Sequence, residues 1–396
     1  MMKTRVGALL AGVVAAGVLA SCSTPVEGPT CRGFDDPLME ASFRTLSAPP
    51  SLSDDIAERL GRSIDAARSG VQSFGMQRAA RGFQLEVLAI TTGGQDGAFA
   101  AGFLDGWDSK PDFGAVTGAS AGGLIAPVAF AGREFDGKLA TFAGVGQDQV
   151  VRQKPFGGLF SNSVFATDPL ARRVFETYDD ALIAAIEAKP DAVLLIGATD
   201  LETTRFKRFD IQTMLSAEEP GKKRPCLTAA AMATSAIPAA FPPRAVNGSL
   251  YVDAGVRSHV FLEGIDRAVR QVSAQKRTSV GVRVTVLVNN DLTFDAAKAP
   301  TSLLPIALRN AAIVGDEGMR ASLLQAAGLA MERGWAFRAA AIPSDFELPE
   351  GCSREGISSA CYTQALFERG QQMGAAGTAW MDRKALVRRV RTGVEE

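Results

Sequence analysis

Leu85-Glu86-Val87-Leu88-Ala89-Ile90-Thr91-Thr92-Gly93-Gly94-Gln95-Asp96-Gly97 is the stretch on which the fold of this chain turns. Its first six residues are an apolar run, broken only by Glu86, of the length a buried strand takes, and Gly93 to Gly102 is a glycine-rich turn that opens a helix. The unit then repeats. Phe113 to Val116 reads as a second strand, delivered into Gly118-Ala119-Ser120-Ala121-Gly122, and Leu124 to Phe130 continues as a buried helix. Ala192 to Ala198 and Val282 to Val288 are further continuous apolar runs of the kind a central parallel strand shows. Strands covered on both faces and alternating with helices mean an α/β fold, a central mostly parallel sheet flanked by helices.

Outward from this core, Ile56, Leu60, Ile64 and Val71 share one face of an expected helix, and Thr167 before Asp168-Pro169 marks another helix start. Residues 306–332 and 362–376 read as helices, and Trp335 to Ile342 as a strand. No internal repeat is visible.

At the amino terminus Lys3 and Arg5 precede the apolar stretch Val6 to Ala20, which is too short to span a bilayer and suits a signal-peptide core. Leu19-Ala20-Ser21-Cys22 resembles a bacterial lipobox, so Cys22 is the expected lipidation site and first residue of the mature chain; Ser23 after it favours the outer membrane. The rival is a plain secretory signal in which Cys22 is incidental. Export to an oxidising compartment would permit disulfides, and pairing Cys352 with Cys361 would close a short polar loop. The expected organisation is a signal peptide over residues 1–21, a Ser/Thr/Pro/Gly-rich lipid-anchored tether over 22–50, a helical segment over 51–84, a catalytic domain over 85–290, and a C-terminal α/β extension packed on it over 291–396.

Composition narrows the chemistry. A formal charge of −1 over 396 residues offers no basic field for nucleic acid. His259 is the single histidine and no cysteine has metal-ligand spacing, so no metal site or cofactor is expected. Gly118-x-Ser120-x-Gly122, between an apolar strand and an apolar helix, has the setting of a nucleophile elbow. Gly93, Gly94 and Gln95, at the end of the preceding strand and leading to Gly97, can aim successive backbone N–H groups at an anion. Gln95 stands where a dinucleotide fingerprint needs its second glycine, so an oxyanion hole is the better use. Tyr251-Val252-Asp253-Ala254-Gly255 is a short strand that delivers an aspartate into a turn.

Taken in order, these three motifs resemble the patatin-like phospholipases, over residues 84 to about 290. The lipoprotein prefix fits a bacterial lipoprotein branch, and the Ala198-Thr199-Asp200-Leu201 and Ala236 to Pro243 segments add to the likeness. The resemblance implies a patatin-like three-layer fold and a lipid acyl hydrolase of the phospholipase A or esterase type. It further implies Ser120 as nucleophile, Asp253 as base, and the amides at Gly93, Gly94 and Gln95 as oxyanion donors, with a lipid or phospholipid ester as substrate. Two residues depart from the family pattern: Asp96 stands where many members have Arg or Lys, and Ala254 replaces the middle glycine of the aspartate turn. His259 stands where members often show Asn. Two rival readings remain: an α/β-hydrolase triad of Ser120, Asp200 and His259, and a catalytically silent lipoprotein whose pocket binds acyl chains or a partner.

Overall fold

The computed structural model describes residues 28–33, 52–154, 162–294, 301, 303–377 and 379–393. Cys22, the signal segment and most of the expected tether lie outside the described residues.

Ten strands form one sheet: β1 (Gln77–Ala79), β2 (Gly82–Ile90), β3 (Ala115–Ala119), β4 (Val193–Asp200), β5 (Phe206–Asp210), β6 (Arg244–Val246), β7 (Ser249–Val252), β8 (Val280–Val288), β9 (Ala336–Ala341) and β10 (Met381–Asp382). The main order is β10-β9-β8-β2-β3-β4-β7-β6, with β1 paired to β2 and β5 to β4. Strands β9, β8, β2, β3 and β4 run parallel, whereas β10 and β7 join the two edges by antiparallel pairing and β6 pairs antiparallel with β7. The chain steps from β2 to β3 to β4 in one direction and from β8 to β9 in the other, so the order reverses between β8 and β2. Ligand sites of open α/β sheets lie at the carboxyl ends of strands beside such a reversal.

Side-chain alternation on β2 separates two cores. Leu85, Val87 and Ala89 pack with helix α1 (Leu52–Arg68), while Leu88 and Ile90 pack with α2 (Gly97–Gly106) and α3 (Ala121–Ala131). Helices α4 (Asp168–Thr177), α5 (Asp180–Glu187), α6 (Ile211–Ala217), α7 (Pro220–Thr234) and α10 (Ala360–Ala376) add to the α2/α3 side. Helices α8 (Glu263–Lys276), α9 (Leu303–Glu332) and α11 (Arg383–Thr392) add to the α1 side.

Three local expectations change. Val71 does not share the buried face of α1: the helix ends at Arg68, Gly70 takes φ +72°, and Val71 is left exposed. The second strand reaches further than Val116, to Ala119, and so carries the chain directly into Ser120. Within the stretch read as a tether, Cys31 is fully buried and disulfide-bonded to Cys226 of α7, and its N–H donates to Asn247 Oδ1.

The extension after residue 290 continues the same sheet through β9 and β10. Its helix α10 lies unusually close to α2. A Cβ on Gly102 would fall 1.9 Å from the Phe367 carbonyl oxygen, and one on Gly370 would fall 2.3 Å from that of Phe99. Only glycines on both helices allow backbones to approach this closely. Cys352, in the loop before α10, and Cys361, in its first turn, are disulfide-bonded.

Candidate active site

Ser120 sits between β3 and α3 with φ +52° and ψ −123°, a conformation that costs a non-glycine residue about 1 to 3 kcal/mol. The neighbouring glycines make the turn possible. A Cβ on Gly118 would lie 2.3 Å from the Gly122 carbonyl oxygen, and one on Gly122 equally near that of Ile90. The Ser120 N–H donates to the hydroxyl of Thr234, fully buried at the end of α7, at 2.8 Å. This holds the strained turn from the far side.

Asp253 comes from the end of β7. Its N–H donates to the Ala236 carbonyl at 2.9 Å and its own carbonyl accepts from the Thr199 hydroxyl at 3.0 Å. Two segments that precede it in the sequence therefore fix its main chain. The Ser120 hydroxyl donates to Asp253 Oδ2 at 2.6 Å, and the Gly255 N–H donates to Oδ1 at 2.7 Å. Both side chains are buried. Burial pushes the Asp253 carboxyl up from the usual carboxylate range to about 6, against the lowering pull of its bonds from Ser120 and Gly255.

The glycine loop follows β2 as a single 3-10 turn, Gly94–Asp96, before α2. Gly94, Gln95 and Gly97 line the same cavity as Ser120, and a Cβ on Gly97 would stand 2.8 Å from that of Ala121. Gly93 packs instead against Asn289, whose Cβ would lie 2.4 Å from a Cβ there. Asn289, at the end of β8, donates to the Thr91 carbonyl at 2.9 Å and accepts the Ala100 N–H at 3.2 Å. The loop is thus tied to the strand on the other side of the reversal point. Away from Ser120 the cavity walls are mostly apolar, with Leu124, Phe142, Leu170, Val174, Ile237 and Phe241 among them.

Other candidates fall elsewhere. His259 is buried, its Nδ1 sharing a 2.5 Å hydrogen bond with the Thr92 hydroxyl; burial pushes the imidazole down to about 4, so the ring is neutral at ordinary pH. Asp200 Oδ1 accepts the N–H groups of Glu202 and Thr203 at 2.9 and 3.0 Å, which closes a turn. Asp96 is buried and not bare: Arg354 donates to its Oδ2 at 2.5 Å and Tyr362 to its Oδ1 at 2.7 Å. Arg354, from the C-terminal extension, pairs with the carboxylate and offsets its charge. Ala254 is fully buried in the aspartate turn. Among the described residues, no group of His, Cys, Asp and Glu could hold a metal ion.

Sequence reasoning missed Thr234, Asn289, Arg354 and Tyr362, since none lies within a recognised motif.

Compared with known proteins, residues 88–265 match the family model of the patatin-like phospholipases. No curated protein matches the chain. Among solved structures it is similar to VipD from Legionella pneumophila, at 11% identity and a TM-score of 0.34, over 78% of this chain and 70% of that one.

Proposed function

We propose that this protein, which carries a patatin-like phospholipase domain over residues 88–265, hydrolyses lipid carboxylic esters through a Ser120–Asp253 dyad. The observation that carries the reading is the 2.6 Å hydrogen bond from the Ser120 hydroxyl to Asp253, at the end of a largely apolar cavity. Asp253 takes the serine proton as Oγ attacks the ester carbonyl, and the developing oxyanion is met by backbone N–H groups of Gly94 and Gln95. The protonated carboxyl then gives its proton to the leaving alcohol, which departs and leaves an acyl-serine. Water, deprotonated by the same carboxylate, attacks the acyl-serine; the fatty acid leaves and the proton returns to Ser120. An apolar cavity suits the acyl chain of the substrate.

Asp253 is the supported base because His259 bonds to Thr92 and Asp200 to backbone amides, whereas the serine hydroxyl bonds to Asp253. The lipobox resemblance adds a location. Cys22 would carry a lipid anchor and hold the domain at the bacterial cell envelope, on the periplasmic side of the outer membrane, within reach of lipid esters.

A fluorophosphonate probe, together with a panel of phospholipid and neutral esters, tests the reading. Wild type should be labelled and active, and Ser120→Ala neither. A folded wild type that takes no label and cleaves no ester would favour the silent lipid-binding alternative.

A further inference from the structure

The loop closed by the Cys352–Cys361 disulfide lies against the glycine loop. The Gln95 side chain donates to the Arg354 carbonyl at 2.8 Å and accepts the Ser359 N–H at 3.0 Å, while Asp96 accepts from Arg354 and Tyr362. A second set of bonds fastens the loop to another side of the cavity. The Ser358 hydroxyl donates to the Val145 carbonyl at 2.6 Å, and Thr363 accepts the Val145 N–H at 2.8 Å. Between these attachments Ile357 and Ser358 line the cavity that holds Ser120. Behind them, the glycine contact between α2 and α10 leaves the two helices little room to shift.

We propose that this disulfide-closed loop is the acyl-selectivity wall of the site, through Ile357, and that Asp96 and Arg354 are a positioning pair that holds the amides of Gly94 and Gln95 in place for the oxyanion. The proposal rests on the hydrolase reading above and adds to it the residues that select the chain and steady the loop. A glycine-rich turn is soft, yet oxyanion donors act only when they are preorganised. Two consecutive side chains of that turn are clamped from outside. Asp96 is a buried carboxylate, and a buried charge left without its partner is strongly unfavourable. Removing Arg354 leaves Asp96 with Tyr362 alone and takes away one of the outside clamps on the turn.

The test compares p-nitrophenyl butyrate with p-nitrophenyl dodecanoate, using the full chain. Ile357→Trp should lower kcat/KM for dodecanoate relative to butyrate by about tenfold or more, the scale on which a hydrophobic pocket discriminates chain size. Ile357→Ala, which makes no steric demand, should move the ratio the other way. If neither variant moves it, the wall is wrong. Arg354→Gln should lower kcat on butyrate about tenfold with KM nearly unchanged, and Arg354→Lys should restore most of it. A wild-type kcat in Arg354→Gln, or a loss that Lys does not rescue, overturns the positioning pair. A wild type that is inert and unlabelled at Ser120 sinks the proposed function and this inference with it. An active wild type with indifferent loop variants sinks the inference alone.

Discussion

Ser120 and Asp253 are 133 residues apart in the chain and 2.6 Å apart at their side-chain oxygens. Oδ2 receives the serine hydroxyl while Oδ1 is occupied by the Gly255 N–H, so the carboxylate has one fixed orientation toward the serine. Its burial raises its proton affinity to where it can accept a proton near neutral pH and give it back.

Hydrolysis by wild type should therefore rise with pH through about 6, as Asp253 ionises. The same group makes a stability prediction. Because its folded value is raised from 3.8, its favourable contribution is present below about pH 4 and lost as pH rises through about 6. Asp253→Asn has no such proton to lose. Its stability relative to wild type should rise by about 3 kcal/mol between pH 4 and pH 8, while its esterase activity is abolished. Urea titrations at both pH values check this, and a constant difference would mean that Asp253 titrates normally.

His259→Asn should lose less than tenfold in turnover, and Asp200→Asn should be similarly mild. A triad base would cost thousands-fold on removal. Turnover of the folded variants decides: a dead His259→Asn enzyme would restore the α/β-hydrolase reading.

The two loop glycines should fail differently. At Gly93 an added methyl meets Asn289, so Gly93→Ala should chiefly damage the fold. At Gly94 the methyl meets open space, but φ is +57°, which costs an L-residue about 1 to 2 kcal/mol. Gly94→Ala should fold and lose activity by about tenfold or more as its amide is displaced. Thermal melts beside kinetics separate the two, and a fully active Gly94→Ala would argue against that amide as an oxyanion donor.

Cys31 and Cys226 are separated by 195 residues, Cys352 and Cys361 by 9. The longer closure removes more freedom from the unfolded chain, about 5 kcal/mol against about 3 in the chain-entropy treatment. The double variant Cys31→Ser/Cys226→Ser should thus lose more stability than Cys352→Ser/Cys361→Ser. Denaturant midpoints measured on each would reveal a reversed order.

Cys22→Ala should leave the protein unprocessed or mislocalised, because the thiol to be acylated is gone. Recovery of a mature, membrane-bound variant in cell fractionation would remove the anchor assignment.

How the molecule is built divides along the range of the interactions. The parallel strands, the glycine loop, the serine elbow and the aspartate turn were legible in the sequence because each is local. Apolar runs announce buried strands, and glycines two residues either side of Ser120 announce a tight strand-to-helix turn. The sequence also singled out Asp96, but only as a departure from a pattern. Its partner Arg354 lies 258 residues on, in a polar loop whose local composition announces no partner. The same holds for Thr234 behind Ser120, for Asn289 behind the glycine loop, and for the pairing of Cys31 with Cys226. Those contacts depend on how strands are ordered across the sheet and how closely α2 and α10 approach. Local propensity sets neither, so the tertiary structure alone decided what surrounds and steadies the residues that the sequence had marked.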